Sequence, residues 1–274
     1  MIVNSVVSGN LAGGASVPDL GGVTNSLEVW YDASDIDGDG NAGNNPADGD
    51  TVTAWADKSL NGRHLTTGTG SPTYETNEIG GLPAVRFNAN NENLYMADSS
   101  NKYFANDVFL VFRAGQDGNG ATRTTFGPSW GAPIGAPNGN NADRTWMLEG
   151  NTGRFWNSEP PSAVNRNGMD IPSDNNFDIL AATENTSLGQ YMVLNVTAGP
   201  NNGTQIREYV VGTRMDQWAN SRFDTAEIIA FSSTLSSSDR AKVQAYLAQK
   251  YSIDGDYAVT FSNDLTKTGT GTVT

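Results

Sequence analysis

The apolar residues of this chain come in short clusters, and turn-forming Gly, Asn, Asp and Pro interrupt nearly all of them. Residues 27–32, LEVWYD, alternate apolar and polar side chains, the period of a half-buried strand. Further strand-like segments are residues 51–55, 84–87, 108–113, 145–148, 154–156, 178–183, 191–196, 205–210 and 225–231. Residues 108–112, VFLVF, are continuously apolar, as expected of a strand buried on both faces. Turn signals at residues 151–153 and 199–203 separate such segments at hairpin spacing. Many short strands at these intervals predict an all-β protein, an antiparallel two-sheet sandwich of the jelly-roll kind. One helix stands out. Ser236 with Asp239 three residues later forms a capping start. Ala241, Val243, Tyr246, Leu247 and Tyr251 then recur at helical spacing before Asp254 and Gly255. This helix reads as a packing element that closes the sandwich.

The expected organisation is a linker or irregular lead-in over residues 1–24, one domain over 25–254, and a Thr/Gly-rich segment over 255–274 that opens a further β-repeat or linker. All-β domains of this size are common undivided. The formal net charge is −14, which excludes the basic footprint of a nucleic-acid-binding protein. It also disfavours anionic membrane surfaces, and no apolar run is long enough to span a bilayer. Cysteine is absent, so neither a disulfide framework nor a thiolate metal site is available. Residues 1–5, MIVNS, lack the basic and apolar regions of a signal peptide.

Residues 32–50, DASDIDGDGNAGNNPADGD, hold six aspartates and no basic residue. Like charges at that density repel in a folded loop unless a cation neutralises them. Asp35, Asp37 and Asp39 at alternate positions, followed by Gly40, match the first half of an oxygen-ligand calcium loop. Pro46 stands where an EF-hand carries its bidentate Glu, so this is a calcium loop of another kind. Its expected ligands are Asp35, Asp37, Asp39 and the Asn41 carbonyl, with Asp48 or Asp50 completing the shell. The competing reading is a solvated acidic Gly/Asn loop.

Three segments carry a family likeness: LEVWYDASD (27–35), GDTVTAWADKSLNG (49–62) and AEIIAFSSTLSSSDRAKVQAYLAQKY (226–251), with PAVRF (83–87) between them. In that order they resemble the laminin-G-like, concanavalin A-like lectin/glucanase domains of large bacterial surface proteins. The resemblance implies a jelly roll, often with calcium in a loop. It also implies a non-catalytic role in binding glycans or cell-surface protein ligands, on a secreted or surface-anchored protein and with adhesion as its purpose. As an isolated domain it is expected to be a monomer. Residues 263–274 look like the start of an autotransporter passenger repeat.

Glycosidases need two carboxylates across the scissile bond, which the β-glucanase relatives take from a Glu-x-Asp-x-x-Glu strand. That run is missing here, with Glu149 and Glu227 isolated on separate segments. The single histidine, His64, follows a turn and reads as structural. A glycanase or lyase remains the enzymatic alternative, and a spacer domain of an adhesin the structural one. If a glycan is bound, loop residues Trp130, Trp156 and Trp218 offer faces that stack on sugar rings, with Arg154 as a polar anchor. Trp30, Trp55 and Trp146 fall within strand-like segments and are expected in the core.

Overall fold

The structure, a computed structural model, describes residues 20–87, 92–96, 103–114, 132–135, 161–173, 190–197, 205–206, 210–212 and 223–257. The strands among them are β1 (Leu27–Asp32), β2 (Ala54–Trp55), β3 (Leu65–Thr69), β4 (Thr73–Ile79), β5 (Leu82–Phe87), β6 (Asn93–Tyr95), β7 (Tyr103–Phe104) and β8 (Asp107–Ala114). They continue with β9 (Ala132–Gly135), β10 (Ala163–Arg166), β11 (Met169–Asp170), β12 (Met192–Thr197), β13 (Gln205–Ile206), β14 (Val210–Gly212) and β15 (Phe223–Phe231). One helix, α1 (Ser237–Tyr251), follows.

Pairing among these strands is antiparallel throughout, and two sheets carry the architecture. The larger runs β11-β10-β12-β8-β15-β5-β4, with β1 beside the C-terminal half of β15. The smaller runs β2-β3-β6-β14-β9. A mainly β protein with one helix is what the segment pattern predicts. The apolar run of β8 divides by parity, as a strand covered on both faces must. Val108, Leu110 and Phe112 enter a core with Tyr31, Trp55, Leu65, Leu94 and Val211, residues of both sheets. Phe109 and Val111 enter a second core with Trp30, Ile229, Val243, Leu247 and Tyr251, beneath α1. The layers are therefore small sheet, large sheet and helix.

Several elements differ from the sequence expectation. Residues 51–55 form a strand only at Ala54–Trp55, while Thr51 makes an isolated bridge to Thr73. Residues 205–210 split between β13, which pairs with β7, and β14, which joins the small sheet. Residues 20–24 are irregular, as a lead-in would be, and Leu20 and Val23 among them are buried in the core under α1. Segments 145–148, 154–156 and 178–183, Trp146 and the 263–274 stretch lie outside the described residues.

The helix begins as the capping signal predicts. The Ser236 side chain accepts from the Asp239 backbone N–H at 3.1 Å, and the chain leaves through Ser252 in the left-handed region. Ser236→Ala is expected to cost about 1 kcal/mol, and urea denaturation with an unchanged m-value checks it.

Candidate functional site

The acidic loop starts where β1 ends. Asp32 caps a 3₁₀ turn over Ala33–Asp35, accepting from the Ser34 N–H at 2.9 Å. Gly38 and Gly40 have φ of +73° and +81°, which turn the chain back on itself at little steric cost. Each short side chain then ties to backbone two to five residues on. Gly40 N–H donates to Asp35 Oδ1 (3.0 Å), Asp39 N–H to Asp37 Oδ1 (3.3 Å) and Asn41 N–H to Asp39 Oδ1 (2.7 Å). These bonds converge the three carboxylates, whose oxygens lie within 4.8 Å of one another. Asp35 is buried, whereas Asp37 and Asp39 are exposed.

Asn44 completes the cluster, and sequence reasoning missed it. Its Nδ2 lies 2.8 Å from both Asp37 Oδ2 and Asp39 Oδ2, a partial positive charge between two carboxylates. A cation between the two carboxylates would favour the amide turned over, with its oxygen in that place. Asp48 and Asp50 are turned elsewhere. Asp48 Oδ1 accepts from the backbone N–H and hydroxyl of Thr76, which hold its carboxyl below the usual range. Asp50 Oδ2 accepts from Ala47 N–H within its own turn. The Asn41 carbonyl accepts from Asn44 N–H at 3.4 Å. The three carboxylates converge on one point, Asp37 and Asp39 from the solvent side and Asp35 from its buried place beside Lys58. That fits a hard cation of flexible coordination, calcium before magnesium.

A cleft of about 330 Å³ adjoins the loop. Asp37 and Asn44 stand on its wall with His64, over a floor that includes Ile36, Pro46 and Val52. His64 Nδ1 accepts from the Asp57 backbone N–H at 3.0 Å, so its proton sits on Nε2 as a donor.

Beneath this surface an unbroken chain of ion pairs runs from the loop to the helix. Lys58 Nζ lies 2.8 Å from Asp35 and 2.9 Å from Asp32; Lys250 Nζ lies 2.8 Å from Asp32 and 2.7 Å from Glu227. Glu227 reaches this place through a bulge in β15. The register against β8 slips between Thr225 and Glu227, so Ala226 and Glu227 both serve the helix side. Its carboxylate also accepts from Trp30 Nε1 (2.7 Å), Tyr246 and Tyr251. Burial pushes Glu227 upward. Burial alone would raise Asp32 too, but the charges of Lys250 and Lys58 outweigh it and hold Asp32 at about 2. Both carboxylates are covered, at 3% and 1% exposure. They join β1 and β15 to the helix.

Trp30 and Trp55 are fully buried, as their strand positions predict. Trp130, Arg154, Trp156 and Trp218, expected to contact ligand, all lie outside the described residues.

No family model matches this chain, and no curated protein matches it. Among solved structures it aligns with a glutamate-to-glutamine mutant of a GH54 α-L-arabinofuranosidase soaked with 4-nitrophenyl α-L-arabinofuranoside. The TM-score is 0.37 at 13% identity, over 73% of this chain. The alignment spans about half of that enzyme's length, 51%.

Proposed function

We propose that this chain is a calcium-dependent, non-catalytic ligand-binding module on a jelly-roll sandwich, with glycans as its ligand class. We place it on a secreted or surface-exposed bacterial protein with a role in adhesion. The observation that carries the reading is that Asp37 and Asn44 belong both to the carboxylate cluster and to the wall of the adjoining cleft. A cation held by Asp35, Asp37, Asp39 and the inverted Asn44 amide stands at the cleft's edge, where sugar hydroxyls complete its shell. His64 Nε2 and the Asp37 carboxylate add directional hydrogen bonds, and the apolar floor takes a sugar's apolar face. Trp130, Trp156, Trp218 and Arg154 remain the proposed stacking and anchoring residues of the loop edge.

Millimolar calcium is expected to raise the melting temperature, because a ligand of the folded state alone stabilises it by mass action. With Kd of about 10⁻⁴–10⁻³ M, usual for extracellular calcium modules, 10 mM calcium contributes roughly 1.4–2.7 kcal/mol. Asp37→Asn combined with Asp39→Asn is expected to abolish that shift. A melting curve that is the same in chelator and in calcium rules the cation out. Glycan and protein arrays probed with and without calcium test the function. Release of reducing ends or unsaturated uronates from a polysaccharide panel would replace it with the enzymatic alternative. Silence on both would leave the spacer domain.

A further inference from the structure

A second cleft, of about 510 Å³, opens on the far side of the large sheet, where the first turns of α1 cross β10 and the β11 edge. Its volume falls in the usual range for small-molecule sites. The floor rests on Asp107, a fully buried carboxylate that accepts from Thr197 Oγ1 (2.6 Å), Leu235 N–H (2.7 Å) and Asn195 Nδ2 (3.3 Å). With Nδ2 also directed to the Val108 carbonyl, the Asn195 amide is fixed, and its Oδ1 meets no donor among the described residues. On the helix wall Gln244 gives Nε2 to Asn165 Oδ1 at 2.8 Å, and Asn165 gives Nδ2 to Asp170 at 3.0 Å. Gln244 Oε1 likewise meets no donor among them. Asn195 and Gln244 are 3% and 8% exposed, so these are built-in amides and not surface side chains. Arg240 commits one N–H, to Thr197 Oγ1 at 3.1 Å; its charge partly offsets the burial that raises the Asp107 carboxyl, and no carboxylate among the described residues lies within ion-pair distance of it.

The unmet needs of this cleft define its ligand. Asn195 Oδ1 and Gln244 Oε1 require donors, while Arg240 requires acceptors. A dianionic phosphate has no donor to give, and a protonated amine has no acceptor. A hydroxyl is both. Arg240 and Asp170 are the charged lining residues, Asp107 lies beneath them facing Arg240, and the chain carries −14 overall, so nothing selects an anion. We infer that the α1–β10 cleft is a second, calcium-independent binding site for a neutral polyhydroxylated ligand, a saccharide unit held by Asn195, Gln244 and Arg240. The ligand class rests on the glycan-binding function proposed for the acidic loop; the location and the independence from calcium go beyond it.

The side-chain NH₂ resonances of Asn165, Asn195 and Gln244 report on this cleft directly. The ¹⁵N-labelled chain would be titrated in EDTA with glucose, galactose, mannose and N-acetylglucosamine, and separately with glucuronate and inorganic phosphate. A neutral sugar is expected to move these resonances. Gln244→Met is expected to weaken that binding about tenfold, the effect of one or two neutral hydrogen bonds, and to lower the melting temperature modestly, because Asn165 Oδ1 loses its donor. Arg240→Gln, on the less buried first turn, provides the same reading should the Gln244 variant fold poorly. Movement by the anions alone, or by no probe up to its solubility limit, overturns the assignment. If sugars bind only with calcium and shift only the acidic loop, this cleft fails while the calcium-dependent function stands. If neither cleft answers to any glycan, both fail.

Discussion

Replacing Lys250 with Met is expected to lower the unfolding free energy by about 3–5 kcal/mol, because it leaves buried carboxylates without their cation. Lys250 Nζ touches both Asp32 and Glu227, and Glu227 is wholly enclosed by Trp30, Tyr246 and Tyr251. Adding Glu227→Gln to Lys250→Met is expected to recover part of the loss, since the amide needs no counter-charge. The acid limb of stability should move as well. The Asp32 carboxyl is held at about 2 in the folded chain against 3.8 ordinarily. Its contribution is therefore full above pH ~3.8 and is lost as pH falls through about 2. Glu227, raised by burial, works in the opposite sense and loses stability as pH rises through its own value. Without Lys250 the Asp32 value climbs, so acid unfolding begins at higher pH. Melting temperatures across pH 2–7 for both variants check this. A single-mutant loss under about 1 kcal/mol would mean that the pair is as dispensable as an exposed one.

Trp55→Ala is expected to cost about 3–5 kcal/mol through the cavity it leaves between the sheets. The ring is fully buried, 5.9 Å from the Tyr31 ring, and its indole N–H has no hydrogen-bond partner among the described residues. Trp55→Phe is therefore expected to be much milder, since it removes an unsatisfied donor along with some volume. Trp30 makes the contrast. Its Nε1 donates to Glu227 at 2.7 Å, so Trp30→Phe strips a bond from a buried carboxylate. Urea denaturation of the two Phe variants should rank Trp30→Phe as the more damaging. The reverse order would show that the indole N–H bond to Glu227 contributes less than ring volume.

The strand pattern of β1, β8, β12 and β15, the capped helix, and the burial of Trp30 and Trp55 are all legible in the order of the residues. Periodicity reports which face of a strand meets apolar surroundings, and a capping residue acts within one turn, so both signals are local. The convergence of Asp35, Asp37 and Asp39 is legible for the same reason, because each carboxylate is set by a backbone N–H two to five residues further along the loop. Tertiary structure decided what those groups face. It turned Asp48 toward Thr76, 28 residues away, whereas Asn44 meets Asp39 and Asp37 from five and seven residues along the same loop. A bulge in β15 swung Glu227 beneath the helix, and Gln244 met Asn165 across 79 residues of chain. The core also took in Leu20 and Val23, whose Gly- and Ser-rich surroundings carry no strand or helix period. Pairings of this kind depend on register and on the crossing of layers. A linear pattern of residue types does not encode them, because the same local sequence is compatible with many partners until the sheets close.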